Sequence, residues 1–458
     1  MTQQLSLRSL NLLGDFRLLL ILFVAFRLLM LMVYQPLIID QTAEPVPEDA
    51  AGLVEVPLTS QGVEVGDVTP GVERGVGAMG DRRYHYALAA LTARGDWPFV
   101  DWWSEFPPVW YTITTGVYQM QGENADYSNW SVWLAFIVIA FDVGNLILMR
   151  RIGAHLYGDV MGMALAWIYA VMLAPMVFIF WNFETLVAFF LLLGLYWLLV
   201  ERHNRSAVAV AIGALTKFTP ALLFGALIRY REPRLAARYI AIVIAIFVGV
   251  YALLYANNAA NDGDPAIVTA SLTSQFNKAS YQSVWALVDG NYTTGNFGSV
   301  ASHYDADAAN NLYGKPAVIP SFVRLALAAA LGLFIFLRTR RLDDKGLVAF
   351  VTITLLIFFL QSQGWSPQWL SQIIPLVLLA FPTRNGVLVV VLLSVLVFAE
   401  YPLLFLRTGD TGGLIEGALQ GPFAALVIGR TLLLVAVCLG LYGVLRQEPV
   451  PREPIVSD

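Results

Sequence analysis

What most constrains this chain is the recurrence of apolar, largely uncharged runs of membrane-spanning length. They lie at about 18–39, 129–149, 159–181, 183–200, 236–256, 319–338, 346–362, 366–382, 385–407 and 421–445. A bilayer core takes roughly 20 residues of α-helix to cross, and each run is close to that length. In hydrocarbon a segment must satisfy its own backbone hydrogen bonds, so only helices or a closed barrel can span. Barrel strands alternate apolar and polar residues; these runs are too long and too uniformly apolar for that. The expected fold is an all-α polytopic membrane protein with about ten full transmembrane helices. Composition agrees, with 58% apolar residues, 13% charged residues and a mean hydropathy of +0.65, against roughly 45–50% and 25% in ordinary globular chains. A soluble fold is excluded. The net charge of −5 gives no basic face for nucleic acid, and the single Cys438, inside an apolar run, excludes a disulfide framework and a Cys-ligated metal. No signal-peptide cleavage pattern is present, so the first run, flanked by Arg8 and Arg17, is expected to be a retained helix.

Cations orient the bundle, since cytoplasmic loops collect Lys and Arg. They cluster at 150–151, 202–205, 231–238, 338–345 and 446–452, whereas the segment 40–128 carries 14 acids against four Arg, and 257–318 is also acid-rich. Those two loops are expected outside and both termini in the cytoplasm. The chain reads as a single membrane-embedded domain, 1–458, multi-pass in the cell membrane, with its active site extracytoplasmic. Residues 206–229 break the alternation: both flanks carry cations, yet 24 residues cannot cross twice at about 1.5 Å per residue. A short broken hairpin turning near Lys217-Phe218-Thr219-Pro220 solves this, because proline removes a backbone donor and ends a helix. Non-helical backbone at membrane depth must be buried in protein or line a wet cavity, so the hairpin is a candidate site wall.

The first outer loop divides in two. Residues 40–80 are rich in Pro, Gly, Val and acids without helical period and read as an irregular insert. Residues 81–128 are dense in Trp and Tyr, the pattern of amphipathic helices in the headgroup layer. Here the stretch from Asp81 to Glu105 puts four carboxylates and one of four histidines into 25 residues. A carboxylate in aromatic, lipid-shielded surroundings has its pKa raised toward values useful for taking a proton from a hydroxyl. Asp96 reads as a solvated loop acid.

The pattern Asp81, Tyr84, Tyr86, Ala89, Gly95, Trp97-Pro98-Phe99, Asp101 and Glu105-Phe106-Pro107-Pro108 resembles the first outer loop of GT-C glycosyltransferases. The likeness is nearest to the polyprenol-phosphate-mannose-dependent mannosyltransferases of glycosyltransferase family 87 and their bacterial relatives. Lys217-Phe218-Thr219-Pro220, and Gln363-Gly364-Trp365-Ser366-Pro367-Gln368-Trp369 with Pro375, agree in order and sidedness. The resemblance implies an inverting transferase that moves a sugar from a lipid-phosphate donor to a glycan or glycolipid acceptor outside the cytoplasmic membrane, without metal or other cofactor. By position the general base falls on Asp81. The family acid follows the first helix closely, whereas here about 40 residues intervene, so Asp40 and Asp101 remain rivals. Tyr84, His85, Asp101 and Glu105 are the expected substrate contacts around the base.

A lysine inside an apolar stretch costs roughly 2.5–3.5 kcal/mol to insert, so Lys217 needs an anionic partner or a wet cavity. A donor phosphate serves; Asp142 or Glu184 would serve as an internal partner. Arg27, mid-span, can hold phosphate bidentately or tie the first helix to the bundle. Asp142 and Glu400 are expected to pair within the bundle, and Asn182 and Glu184 to lie at an outer helix junction. Ser366 and Gln368, beside Trp365 and Trp369, suit sugar hydroxyls, though the Trp residues also fit membrane anchoring. His303 is expected at the surface. Asp262/Asp264 and Asp305/Asp307 match Asp-x-Asp but read as polar loops. Two other classes fit parts of the pattern: a glycolipid transporter or flippase needs the buried charges but no outer-loop base, and a polymerase or ligase of lipid-linked glycans shares the lipid substrate.

Overall fold

The computed structural model describes residues 12–34, 37–39, 72–74, 79–122, 125–172, 180, 182–276, 278–295, 300–405 and 414–449. The first apolar run forms α1 (Phe16–Tyr34). β1 (Leu37–Ile39) then pairs antiparallel with β2 (Val72–Arg74), with Ile39 opposite Val72. The ribbon therefore brings residues 39 and 72 side by side. Residues 40–71, Asp40 among them, lie outside the described residues. Directly after the ribbon come α2 (Met79–Ala90) and α3 (Pro108–Gln119). Pro108 opens α3 at the first helical position, where a missing N–H is no loss.

α4 (Tyr127–Tyr157) starts at Asp126, whose side chain accepts the Asn129 amide at 2.7 Å. Its 31 residues reach about 46 Å, from a loop-rich end of the bundle to a cation-rich one. The chain continues through α5 (Asp159–Val171), α6 (Glu184–Leu199), α7 (His203–Ala214), α8 (Leu223–Tyr230) and α9 (Pro233–Ala260). α10 (Pro265–Thr273) and α11 (Val284–Asp289) belong to the second long loop, and α12 (Ser321–Arg338), α13 (Asp344–Gln361), α14 (Leu370–Ala380), α15 (Arg384–Phe398) and α16 (Gln420–Leu445) complete the bundle. Side-chain caps set several starts: Asp343 accepts the Gly346 amide before α13, and Thr383 the Gly386 amide before α15.

Each expected span holds a helix, and the chain is an all-α polytopic membrane protein. Among the described residues, seven helices are long and apolar enough to cross alone; those at 159–171, 184–199 and 367–380 are shorter. Three of the ten expected crossings fall on these shorter helices. α6 and α14 bury most of their side chains in protein, so their ends need not reach water across lipid. α13 is central, 67% buried, while the spans in α9 and α12 are only 17% and 11% buried and present apolar surface outward.

The broken hairpin is present. Arg231, just past α8, donates to the Leu198 carbonyl at the end of α6 at 2.9 Å, so both flanks meet at one end. A 3₁₀ turn, Thr219–Leu222, joins the arms. A Cβ on Gly213 would lie 2.9 Å from the Pro220 ring, so glycine is what lets the arms close. The cation-rich end is gathered too: His155 bonds Asp344 at 2.9 Å, Arg229 reaches the Thr339 carbonyl at 2.7 Å, and the Arg340 amide reaches Leu445 at 2.9 Å.

The aromatic residues of 81–128 depart from the interfacial-anchor expectation. Trp102, Trp103, Trp110 and Tyr111 are fully buried, and only Trp97 is substantially exposed. Trp102, Trp110 and Tyr111 join a core against α4 and α6, where Trp130 Nε1 donates to Thr114 at 3.0 Å, while Trp103 packs on Ile267, Ala270 and Ala309 and its Nε1 donates to Asp305 at 2.8 Å. Rings that bury this much area and still find partners for their N–H groups gain more inside protein than in the headgroup layer. The result is a rigid seat for α2.

Candidate active site

Asp81 stands in the first turn of α2, half-buried at the loop-rich end. Gln368 Nε2 donates to its Oδ2 at 3.1 Å. Burial, then the charges of Glu105 and Glu184, push the carboxyl up to about 6, against the opposing pull of Lys217 and of the Gln368 hydrogen bond. Three separate stretches of the sequence therefore meet at one carboxylate: the first loop, the hairpin and the 363–369 turn.

Lys217 sits at the hairpin turn and pairs with Glu184, which opens α6. Glu184 is held in turn: Gln372 donates to its other oxygen, Thr219 Oγ1 donates to Gln372 at 3.1 Å, and Asn182 accepts the Glu184 amide at 2.9 Å. Three rings surround the ammonium, Trp369 at 4.9 Å, Phe183 at 5.6 Å and Phe106 at 5.9 Å. Their negative π faces stabilise the cation where water is scarce. Of the two internal partners weighed for Lys217, Glu184 holds it and Asp142 does not.

Glu105 is fully buried. Tyr84 donates to its Oε2 at 2.6 Å and Tyr111 at 3.3 Å; Lys278 Nζ lies 3.7 Å from Oε1. The Tyr84 hydroxyl is also 2.8 Å from His303 Nε2, while His303 Nδ1 meets the Trp103 carbonyl at 2.6 Å and its ring stacks on Trp103. His303 is fully buried, which corrects the surface expectation. Burial lowers its pKa, as it pushes His85 down to about 4. His85 packs edge-on to Trp110, Tyr111 and Phe183, with Nδ1 unpartnered among the described residues, and is a neutral member of the aromatic core.

The remaining expected contacts divide. Gln368 and Ser366 are at the site: Ser366 shares a hydrogen bond with Tyr281, whose phenol burial and the field of Asp81, Glu184 and Glu105 push up to about 12. Asp101 instead closes a turn, accepting the Trp97 amide at 2.6 Å. Arg27 is fully buried and pairs with Asp142 at 2.8 Å beneath the Phe23 ring. It ties α1 to α4, and Tyr169 takes the other Asp142 oxygen at 2.5 Å. Glu400 likewise pairs with Arg430 on α16. Asp264 and Asp305 cap local turns through the Ala266 and Asp307 amides. Among the described residues no group of three or more His, Cys, Asp and Glu is arranged to hold a metal ion.

The site is thus a carboxylate of raised pKa beside a caged ammonium, with amides and hydroxyls around both, inside a membrane bundle. The family model of glycosyltransferase family 87 matches residues 127–362, just over half of the chain. The chain belongs to glycosyltransferase family 87. Glu184 and Lys217 fall inside the matched residues, Asp81 and Gln368 outside them. No curated protein and no solved structure matches the chain. In this family 87 glycosyltransferase the candidate site also includes residues that sequence reasoning did not single out. Tyr281 and Lys278 come from the second long loop and carry no local motif; Gln372 lies one helical turn after Gln368, which is the only signal that pointed to it.

Proposed function

We propose that the protein is an inverting hexosyltransferase of the cell membrane. It takes a mannose-like sugar from a polyprenyl-phosphate donor and delivers it to a glycan or glycolipid acceptor on the extracytoplasmic side, with both termini cytoplasmic. The observation that carries this reading is a contact of two consecutive residues: Gln368 donates to Asp81 while the Trp369 ring faces Lys217. A base and a cation so share one wall. The cations gathered at the opposite end support the sidedness.

Asp81 takes the proton of the acceptor hydroxyl as that oxygen bonds to the anomeric carbon. The bond from that carbon to the phosphate oxygen breaks on the opposite face, and its electron pair leaves with polyprenyl phosphate. One displacement inverts the centre. A carboxyl titrating near 6 is a stronger base than an ordinary one yet still ionised at neutral pH, the compromise that general-base catalysis favours. Lys217 has three N–H donors; Glu184 occupies one and fixes the ammonium, leaving the others for phosphate. The positive charge offsets what develops on the leaving group, which is weakly basic and needs no dedicated acid. Ser366 meets a sugar hydroxyl, and Gln368 holds Asp81 in its ionised form. Glu105, held by Tyr84 and Tyr111, sets the field in which Asp81 titrates.

The test is transfer by the purified protein in nanodiscs from radiolabelled polyprenyl-phosphate hexoses. Asp81→Asn is expected to lower transfer about 10²–10⁴-fold while donor binding survives. Undiminished transfer in that variant removes Asp81 from the role of base. Movement of donor across a vesicle without any transfer replaces the enzyme reading with a glycolipid transporter.

A further inference from the structure

The first turn of α12 holds a charge that no other part of the described chain pairs. Arg324 is 3% exposed, and its Nε and Nη1 are buried with no hydrogen-bond partner among the described residues. Its guanidinium lies 5.3 Å from the centre of the Trp285 ring on α11. Asp289, the last residue of α11, is the carboxylate whose charge reaches it, yet the two form no ion pair. The Asp289 oxygens are taken, one by Ser280 Oγ at 2.6 Å and the other by the Val318 amide at 2.7 Å. A guanidinium cannot shed its proton to become neutral, and a buried charge without a partner is strongly destabilising. Its place on the helix adds to the imbalance, because the N-terminal end of a helix dipole already favours anions over cations. No side chain caps α12. The counter-anion therefore has to come from outside the chain.

The surroundings select the kind of anion. Helical side chains lean toward the helix N-terminus, so Arg324 leans toward the loop-rich end of the bundle. Leu327 and Leu331 follow it on the same helix face, one and two turns deeper in the apolar layer, and they are 64% and 48% exposed. Phe322 and Leu325 beside them are exposed as well. Open apolar surface thus runs straight down from the guanidinium, where an acyl chain would lie. Of the three guanidinium nitrogens only Nη2 is not enclosed. Nη2 belongs to both outward forks of the group, one shared with Nε and the other with Nη1. A phosphate that reaches Nη2 therefore comes within reach of an unpartnered N–H too, in the bidentate geometry by which arginine holds phosphate most strongly.

We propose that Arg324 binds the phosphate of an anionic phospholipid in the leaflet at the loop-rich end, with an acyl chain laid over Leu327 and Leu331. The site uses none of the residues given to sugar transfer, so its test needs no transfer reaction. Phosphatidylglycerol, phosphatidylcholine and polyprenyl phosphate are titrated against the full-length protein in neutral detergent by native mass spectrometry, with and without an excess of inorganic phosphate. Phosphatidylglycerol is expected to bind about tenfold more tightly than phosphatidylcholine, whose own ammonium offsets its phosphate. Arg324→Gln reduces that preference to less than about threefold, and Arg324→Lys, a point charge without the fork, keeps part of it. Ser321→Asp places a carboxylate three residues earlier on the same exposed helix surface and supplies the missing anion from within. That variant should melt above the wild type in the absence of lipid and lose the preference, so it carries the test even if Arg324→Gln does not fold. Equal binding of the two phospholipids by the wild type, or a preference unchanged in both Arg324→Gln and Ser321→Asp, overturns the site. Displacement by inorganic phosphate reassigns it to a soluble anion, and tighter binding of polyprenyl phosphate that Arg324→Gln abolishes reassigns it to the donor lipid; either result overturns the phospholipid.

Discussion

Replacing Gln368 with Leu removes the side-chain hydrogen bond that favours ionised Asp81. A hydrogen bond to a charged group contributes about 1.5 kcal/mol net, and one pKa unit corresponds to about 1.36 kcal/mol, so the Asp81 carboxyl should titrate about one unit higher. The sign follows from the role of base: only the ionised form accepts a proton, so kcat/KM falls as pH drops through the pKa, and a higher pKa moves that acid limb to higher pH. With the wild-type group near 6, about half is ionised at pH 6 against about a tenth in the variant, a loss of roughly fivefold in kcat/KM. Above pH 8 both are ionised and the gap should shrink below about twofold. Glu105→Gln supplies the opposite perturbation, because the Glu105 charge raises the Asp81 pKa; its acid limb should move down. The assay is kcat/KM across pH 4.5 to 9 with polyprenyl-phosphate hexose as donor, since kcat/KM reports groups of the free enzyme. A limb that stays put in Gln368→Leu, or a loss equally large at pH 8.5, would refute the argument that Gln368 acts through the ionisation of Asp81.

Lys217→Met, tested alongside Lys217→Met/Glu184→Gln so that no carboxylate is left unpaired, should raise donor KM about tenfold or more by loss of a charge-assisted phosphate contact. A larger rise in acceptor KM counts against that contact. Arg27→Met strands Asp142 in the bundle and should cost about 3–5 kcal/mol in an unfolding measurement, with most of it recovered in Arg27→Met/Asp142→Leu and donor KM unmoved; a donor KM effect in the double variant would return Arg27 to the phosphate. In Gly364→Ala the new Cβ would lie 2.2 Å from the Tyr281 ring, so the ring must shift. Transfer should fall, and undiminished transfer would contradict the place given to Tyr281 beside Ser366.

Membrane insertion, helical class and the broken hairpin were all legible in the chain, because each follows from a local rule. Apolar length dictates spanning helices, and 24 residues between two cation-bearing flanks leave no geometry but a hairpin. The likeness carried by Asp81, Lys217 and Gln368 also picked out residues that come together. Other features resisted for a physical reason: partner choice is not a local property. A lysine in an apolar stretch announces only that some anion is near; Glu184 rather than Asp142 is that anion because α6 packs on the hairpin while Asp142 faces Arg27. His303 reads as a loop residue until Trp103 stacks on it. The Trp and Tyr residues of the first loop carry the composition of a membrane anchor, and only the packing of α2 and α3 against α4 turned them inward. The sequence by itself determined which solvent surrounds this protein and which segments span it. The tertiary structure alone decided which charges neutralise one another and which carboxylate keeps a raised pKa, because Coulomb energy and desolvation depend on distances between residues that lie far apart along the chain.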